Sequence, residues 1–407
     1  MSADPSAGPS AITYPTERSC PFSPPAEFAE LRAVPGLPRV KALEGAEPRL
    51  ITRYEDAKEV LSSQGISARL DNPAFPLFSP GDVQQRDDRS ESLIRTDDPE
   101  HLIQRRRLAR HFTVKRVNAL RADIQRIVDD AVDDLLASGS PADLIELVAQ
   151  PIPSRVICLL LGVPYSDHAF FRNAASRALA GNADPSEVRV ALGELAQYLD
   201  TLVGERLRTG DGDDVLAQLA RDLVVPGTIT RAELVTIGMT LLVAGFETTG
   251  NMIGLGTALF LRHPDQRDLF LAGDEAAQAE AIEEMLRYLS VAQHPRQFAV
   301  TQDMTVGGCP VRAGDGVLIS LPSANRDPAA FDDPDVFDVR RPARGHLAFS
   351  HGTHQCLGQA LARLELLLTF RSLFTRVPTL RAADASRPYD VKQHSRVHGL
   401  NSFPVAW

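Results

Sequence analysis

"FSHGTHQCLG", residues 349–358, places two histidines and a cysteine within six positions, bracketed by glycines. Directly after the cysteine, Leu357, Leu361, Leu364 and Leu368 recur at helical spacing and predict a buried stripe. Cys356 then stands at a helix N-terminus, where unpaired N–H groups and the positive dipole end favour a thiolate. Gly352 can take the positive φ of a tight turn, and Gly358 lets backbone approach closely. Phe349 is expected to wall the sulfur from water. Four readings of this cysteine compete: a nucleophile with His354 as its base, a zinc ligand, a thiolate ligand to haem iron, and a small buried core residue. Zinc wants further thiolates nearby. Haem ligation needs a low-pKa sulfur held rigidly in a dry loop.

The rest of the chain narrows the setting. A length of 407 residues allows a large buried core. A net charge of −10 argues against a nucleic-acid binder, which carries a basic face. Cys20, Cys158, Cys309 and Cys356 are scattered with no CxxC pair, which suits a reducing cytoplasm and excludes a disulfide framework. Residues 1–15 have no basic start and no apolar run, so they read as a flexible tail. Residues 234–261 carry one formal charge, Glu247, and five threonines. A carboxylate in mid-membrane is costly, so this stretch predicts a central buried helix and no membrane span.

Helical periodicity dominates the chain. A helix begins after Pro99, an amphipathic one stops at Gly139, and an apolar one encloses Cys158. Thr230 and Glu233 form a capping box that opens the long helix, which should run about 30 residues towards Pro264. Strand-like pieces cluster late, in "QFAVT", "MTVGG", "GVLISL" and the C-terminal "VHGLNSFPVAW". The expected class is mainly α with a small β part. Within the long helix, Ala244, Glu247, Thr248 and Asn251 follow i, i+3, i+4, i+7 spacing and share one face. Gly245 and Thr248 suit a local bend, because a threonine hydroxyl can take the i−4 carbonyl.

The loop matches the pattern Phe, two residues, Gly, one residue, Arg or His, one residue, Cys, one residue, Gly. Three further motifs stand in order: "HLIQR" with His101 and Arg105, "AGFETT" at 244–249, and "EEMLR" with Glu284 and Arg287. "ANRDP" at 324–328 joins them. Together they resemble the cytochrome P450 family over nearly the whole chain, and most closely its soluble actinobacterial members. The resemblance implies a single domain over 1–407 with that family's fold and a long central helix over haem b. It implies Cys356 as the iron ligand, with Phe349 and Gly358 in the ligand loop. His101, Arg105 and His354 would meet the haem propionates, and Ala244 and Gly245 would lie on the haem-facing helix. Glu247 and Thr248 would move protons to bound dioxygen. Glu284 and Arg287, with Arg341, would brace the loop. Electrons would come from a separate ferredoxin and its reductase, docking on a basic patch of Arg106, Arg107 and Arg110 along one helix. The implied activity is oxygen insertion into a small organic substrate that is bulky and largely apolar. Leu70–Leu93, Phe170–Leu179, Val243, Ala244, Val291, Ala292, Val397 and His398 would contact it.

Two departures stand out. Relatives often carry glycine and an aromatic or glycine where this chain has Ser350 and His351. The family's propionate-binding arginine falls on Phe298, whereas Arg296 stands two positions earlier, on the same face of a strand. Arg296 is therefore the expected substitute anchor. Two rival readings are a haem-thiolate nitric oxide reductase fed directly by NADH, and a haem-based sensor. Neither a membrane nor a nucleic acid is expected as partner.

Overall fold

The computed structural model describes residues 11–407 apart from 80–81, 84–85, 87–91, 168–169, 172, 175–176, 178–184 and 394. Parts of the expected substrate segments Leu70–Leu93 and Phe170–Leu179 thus lie outside the described residues, as do positions 1–10 of the expected tail. Residues 11–15 are not tail. Ile12 bridges Val40, and Tyr14 is buried edge-on to Phe28 at 5.6 Å and Phe78 at 5.3 Å. Aromatic burial of that size fixes the segment, which sequence polarity alone did not indicate.

The architecture is mainly α with small sheets, as expected, and the chain divides into two compact units. One takes the described part of Met1–Arg106 with Leu286–Phe337 and Ala343–Cys356. Its sheet runs in the order Arg49–Ile51, Gly316–Ile319, Arg296–Val300, Ile66–Ser67. The first pair is parallel and the other two are antiparallel. Ile51, Phe298, Val300, Val317 and Ile319 are buried in one core with the helix Tyr54–Ser62, as β-branched and aromatic residues on a packed sheet should be. The turn-rich stretch that follows is ordered by two arginines. Arg287 donates to the carbonyls of Asn325 at 2.8 Å and Pro334 at 2.9 Å. Arg326 donates to the carbonyls of Phe22 at 3.0 Å and Tyr288 at 2.9 Å, with its guanidinium 3.7 Å from the Tyr288 ring centroid. Such charged hydrogen bonds let buried cations substitute for secondary structure.

The other unit holds Arg107–Met285, Asp338–Pro342 and Leu357–Trp407. Its axis is the 32-residue helix Arg231–Arg262, opened by the expected capping box of Thr230 and Glu233. Among the described residues it is the one helix long and apolar enough to cross a membrane. Every residue from Thr249 to Phe260 is buried, and the helices Pro151–Leu161, Pro185–Thr209 and Gln359–Arg376 pack on it. It is thus a core helix of its unit, which explains its apolar composition. Glu284 is also fully buried here, and its carboxylate accepts from Arg341 Nε at 3.2 Å and from the Asp338 N–H at 3.2 Å. The C-terminal strands pair locally, Leu400–Ser402 with Asp390–Val391 and Pro404–Ala406 with Ala142–Asp143 and Arg381–Ala382.

One acid in this core has no counter-charge among the described residues. Glu365 is buried on Gln359–Arg376, and neither its Oε2 nor the hydroxyl of Thr369 one turn on has a partner among the described residues. Burial pushes its carboxyl up from 4.5 to about 8. The folded chain therefore keeps a proton that the unfolded chain releases. Stability should fall as pH rises from about 4.5 to about 8, with the full penalty above that. Glu365→Gln should remove this slope. Its melting temperature should gain on the wild type between pH 5 and pH 8, for a difference of roughly a few kcal/mol. An equal difference at both pH values, by calorimetry, would show that the buried carboxyl is not protonated.

Candidate functional site

The cysteine loop is a tight turn. Gly352 has φ +68, and a Cβ there would lie 2.0 Å from the carbonyl oxygen of Leu61. Only glycine fits that backbone-to-backbone approach. Gly352–His354 form a short 3-10 turn, and the N–H of Cys356 donates back to the Phe349 carbonyl at 2.8 Å. The following helix begins at Gln359 with Gly358 at its N-cap, so Cys356 sits just ahead of the helix start. A Cβ on Gly358 would meet no protein atom within 4 Å, so the space beside it is not needed for packing within the chain. Ser350 has φ +61, the left-handed region where relatives often place glycine, and its buried hydroxyl has no partner among the described residues. The Phe349 ring lies 5.8 Å from that of His346.

Two guanidinium groups and two histidine rings converge on this loop. His101 is fully buried on Glu100–Ala109, with its ring centroid 4.2 Å from that of His354. Its Nδ1 lies 3.3 Å from Asp98 Oδ1, and its Nε2 has no partner among the described residues. Burial, then His101, Arg296 and Arg105, pushes His354 down to about 3. Burial also lowers His101, Arg105 and Arg296, while the negative sulfur of Cys356 raises both arginines in opposition. Arg296 opens the strand Arg296–Val300, its guanidinium 5.9 Å from the Phe298 ring centroid and its buried Nε without a partner among the described residues. Phe298 is itself 6.1 Å from His354 between ring centroids. These buried donors with nothing to bond to fit the two carboxylates of a haem, which the sequence motifs imply. The residues present therefore suit that cofactor.

On the long helix, the acid and the alcohol are placed differently from their neighbours. Ala244 is exposed, and Glu247 and Thr248 are partly so, next to the fully buried run that follows. Thr248 Oγ1 takes the Ala244 carbonyl at 2.9 Å, the expected i−4 bond, within a helix that continues unbroken. Gly245 departs from its expected role. A Cβ there would lie 3.1 Å from Ile157 Cδ1, so it admits the neighbouring helix Pro151–Leu161. The expected arginine patch changes too. The helix ends at Ala109, and Arg110 turns away to bond Asp222 at 2.5 Å. Sequence reading missed Lys392, whose Nζ bonds Glu247 Oε1 at 2.6 Å. The two lie 145 positions apart, and no local pattern connects them.

A family model described as Cytochrome P450 matches residues 279–377. Vitamin D3 dihydroxylase of Streptomyces griseolus is 40% identical over 98% of this chain and 97% of its own length. Pentalenic acid synthase of Streptomyces avermitilis is 41% identical over 97% of each. The crystal structure of mycinamicin VIII C21 methyl hydroxylase MycCI from Micromonospora griseorubida superposes with a TM-score of 0.91 at 37% identity, over 97% of this chain and all of that one. Near-full-length identity of that level, with the same fold and the cysteine loop, establishes that the chain belongs to the cytochrome P450 family and is a haem-dependent monooxygenase.

Proposed function

We propose that the protein inserts one atom of dioxygen into a bulky, largely apolar organic molecule, a secondary metabolite or foreign compound, in the cytoplasm. The names of its relatives, which include enzymes acting on vitamin D3 and on mycinamicin VIII, support that substrate class. The observation that carries the site assignment is the gathering of His101, Arg105, Arg296 and His354 around the Cys356 loop. In this reading Cys356 would ligate the haem iron, and His101, Arg105, Arg296 and His354 would hold the propionates. Bound haem supplies the iron at which dioxygen is cleaved, made more reactive by a thiolate ligand. Thr248 Oγ1 hands on protons and Glu247 links it to solvent, a task for which a hydroxyl and a carboxylate on one helix face are suited. A separate ferredoxin and its reductase supply the electrons, with Arg106 and Arg107 at the docking surface.

The central test is the absorption spectrum of the reduced, CO-bound protein. A Soret band strongly red-shifted from the histidine-ligated position is expected, and a histidine-like band in undamaged protein would overturn Cys356 as ligand. NO reduction by NADH without ferredoxin would favour the reductase reading instead.

Thr248→Ala should keep haem but release more peroxide per NAD(P)H consumed in a reconstituted system, since proton delivery is broken while Cys356 is untouched. Unchanged coupling would remove Thr248 from the relay.

Arg296→Ala should speed haem transfer to apomyoglobin about tenfold or more, the loss of one buried charged hydrogen bond. Imidazole titration of the iron should stay as in the wild type. Unaltered haem loss would show that Arg296 is not a propionate anchor.

A further inference from the structure

The side chain of Glu247 is held by a single oxygen. Oε1 accepts both from Lys392 Nζ at 2.6 Å and from Asn251 Nδ2 at 3.1 Å. No described residue bonds Oε2. The pair is largely sheltered, with the lysine side chain 19% and the glutamate 10% exposed. Asn251 is held in turn. It is buried, and a Cβ on Gly399 would lie 1.9 Å from its Oδ1, so only glycine can stand beside it. Lys392 and Gly399 face each other across the turn between Asp390–Val391 and Leu400–Ser402, joined by the bond from the Lys392 N–H to the Gly399 carbonyl at 2.9 Å. One turn thus grips the Glu247–Asn251 face of the long helix at both of its ends. Lysine occurs at only four positions in the chain, 41, 58, 115 and 392, in a protein that otherwise uses arginine for its positive charge. An ammonium is a compact point charge that rotates freely, whereas a guanidinium fork engages both carboxylate oxygens.

We infer that Lys392 is a positioning residue for proton delivery: it fixes Glu247 through Oε1 and leaves Oε2 to take up and release the proton. This rests on the reading that Glu247 moves protons. It also joins proton delivery to the turn that carries Val397 and His398, so whatever displaces that turn also displaces the carboxylate.

The test uses haem-loaded enzyme with hydrogen peroxide as oxidant and guaiacol as electron donor, a pair that needs neither ferredoxin nor the natural substrate. Here a carboxylate oxygen takes the proton from one peroxide oxygen and returns it to the other. Lys392→Met should lower kcat about tenfold, a fraction of what a general acid–base group contributes, with KM for peroxide changed less than about twofold. Lys392→Arg keeps the positive charge but its fork engages Oε2 as well, so it should restore little of kcat, and the solvent deuterium isotope effect on kcat should rise in Lys392→Met. In a Glu247→Gln background, Lys392→Met should cost nothing further. Normal kcat in Lys392→Met beside a slow Glu247→Gln overturns the role of Lys392 and leaves that of Glu247. Normal kcat in Glu247→Gln overturns the proton reading itself. Full kcat in Lys392→Arg would show that Oε2 need not be left open and overturns the positioning role, and loss of the CO-bound band would make Lys392 merely structural. If Lys392→Met does not take up haem, Lys392→Gln carries the same comparison.

Discussion

The guanidinium groups of Arg105 and Arg296 and the rings of His101 and His354 are gathered, half-buried or buried, around one loop, and the sulfur of Cys356 acts on both arginines. Asp98 reaches His101 alone among the rings. A lone buried charge is strongly destabilising, so a protein that gathers several must receive a counter-ion when it matures. The dicarboxylate edge of haem is such a counter-ion. In the proposed reading that edge meets a loop around Cys356 already set by backbone constraints. Gly352 against Leu61, and Cys356 tied to Phe349, set the turn whether or not the charges are balanced.

The same logic of buried charge runs through the scaffold, with opposite outcomes. Arg326 and Arg287 are buried but satisfied, by carbonyls and, for Arg326, by the Asp335 carboxylate at 2.6 Å, so they order the irregular stretch that follows the sheet. Glu284 is buried and saturated by Arg341 and a backbone N–H. Glu365 is buried and unsaturated, and its answer is to hold its proton. Saturation decides which buried ion fixes structure and which one titrates.

Much of this was legible in the chain because it is written in short spacings. The capping box at Thr230 and Glu233, the leucine stripe after Cys356, the end of a helix at Gly139 and the strand at Arg296 all depend on neighbours within a few positions. The shared face of Glu247, Thr248 and Asn251 is likewise a matter of helical period, and the Asn251–Glu247 bond follows it. What was not legible depends on distant partners. Glu247 meets Lys392, Gly245 meets Ile157, Arg110 leaves its helix for Asp222, and Tyr14 is caught between Phe28 and Phe78. Two-residue strands such as Ile66–Ser67 carry too little pattern to be seen at all. Arg296 lies between these cases: its strand period put it on the right face, and only its surroundings show it buried without a partner.

The contact beneath the cysteine loop has an asymmetry that bears on how such enzymes diverge. Position 352 meets the carbonyl of Leu61 and the Cα of Ser62, which are backbone atoms that every amino acid carries. The restriction therefore falls entirely on one partner. Residues of the helix Tyr54–Ser62 can exchange their side chains at this seam without disturbing the loop, while position 352 has no such latitude. A chimera that borrows its first sixty or so residues from another member of the family would keep this seam intact with no matching change in the loop. The chemistry-bearing turn can thus be inherited unchanged while the segment beneath it drifts.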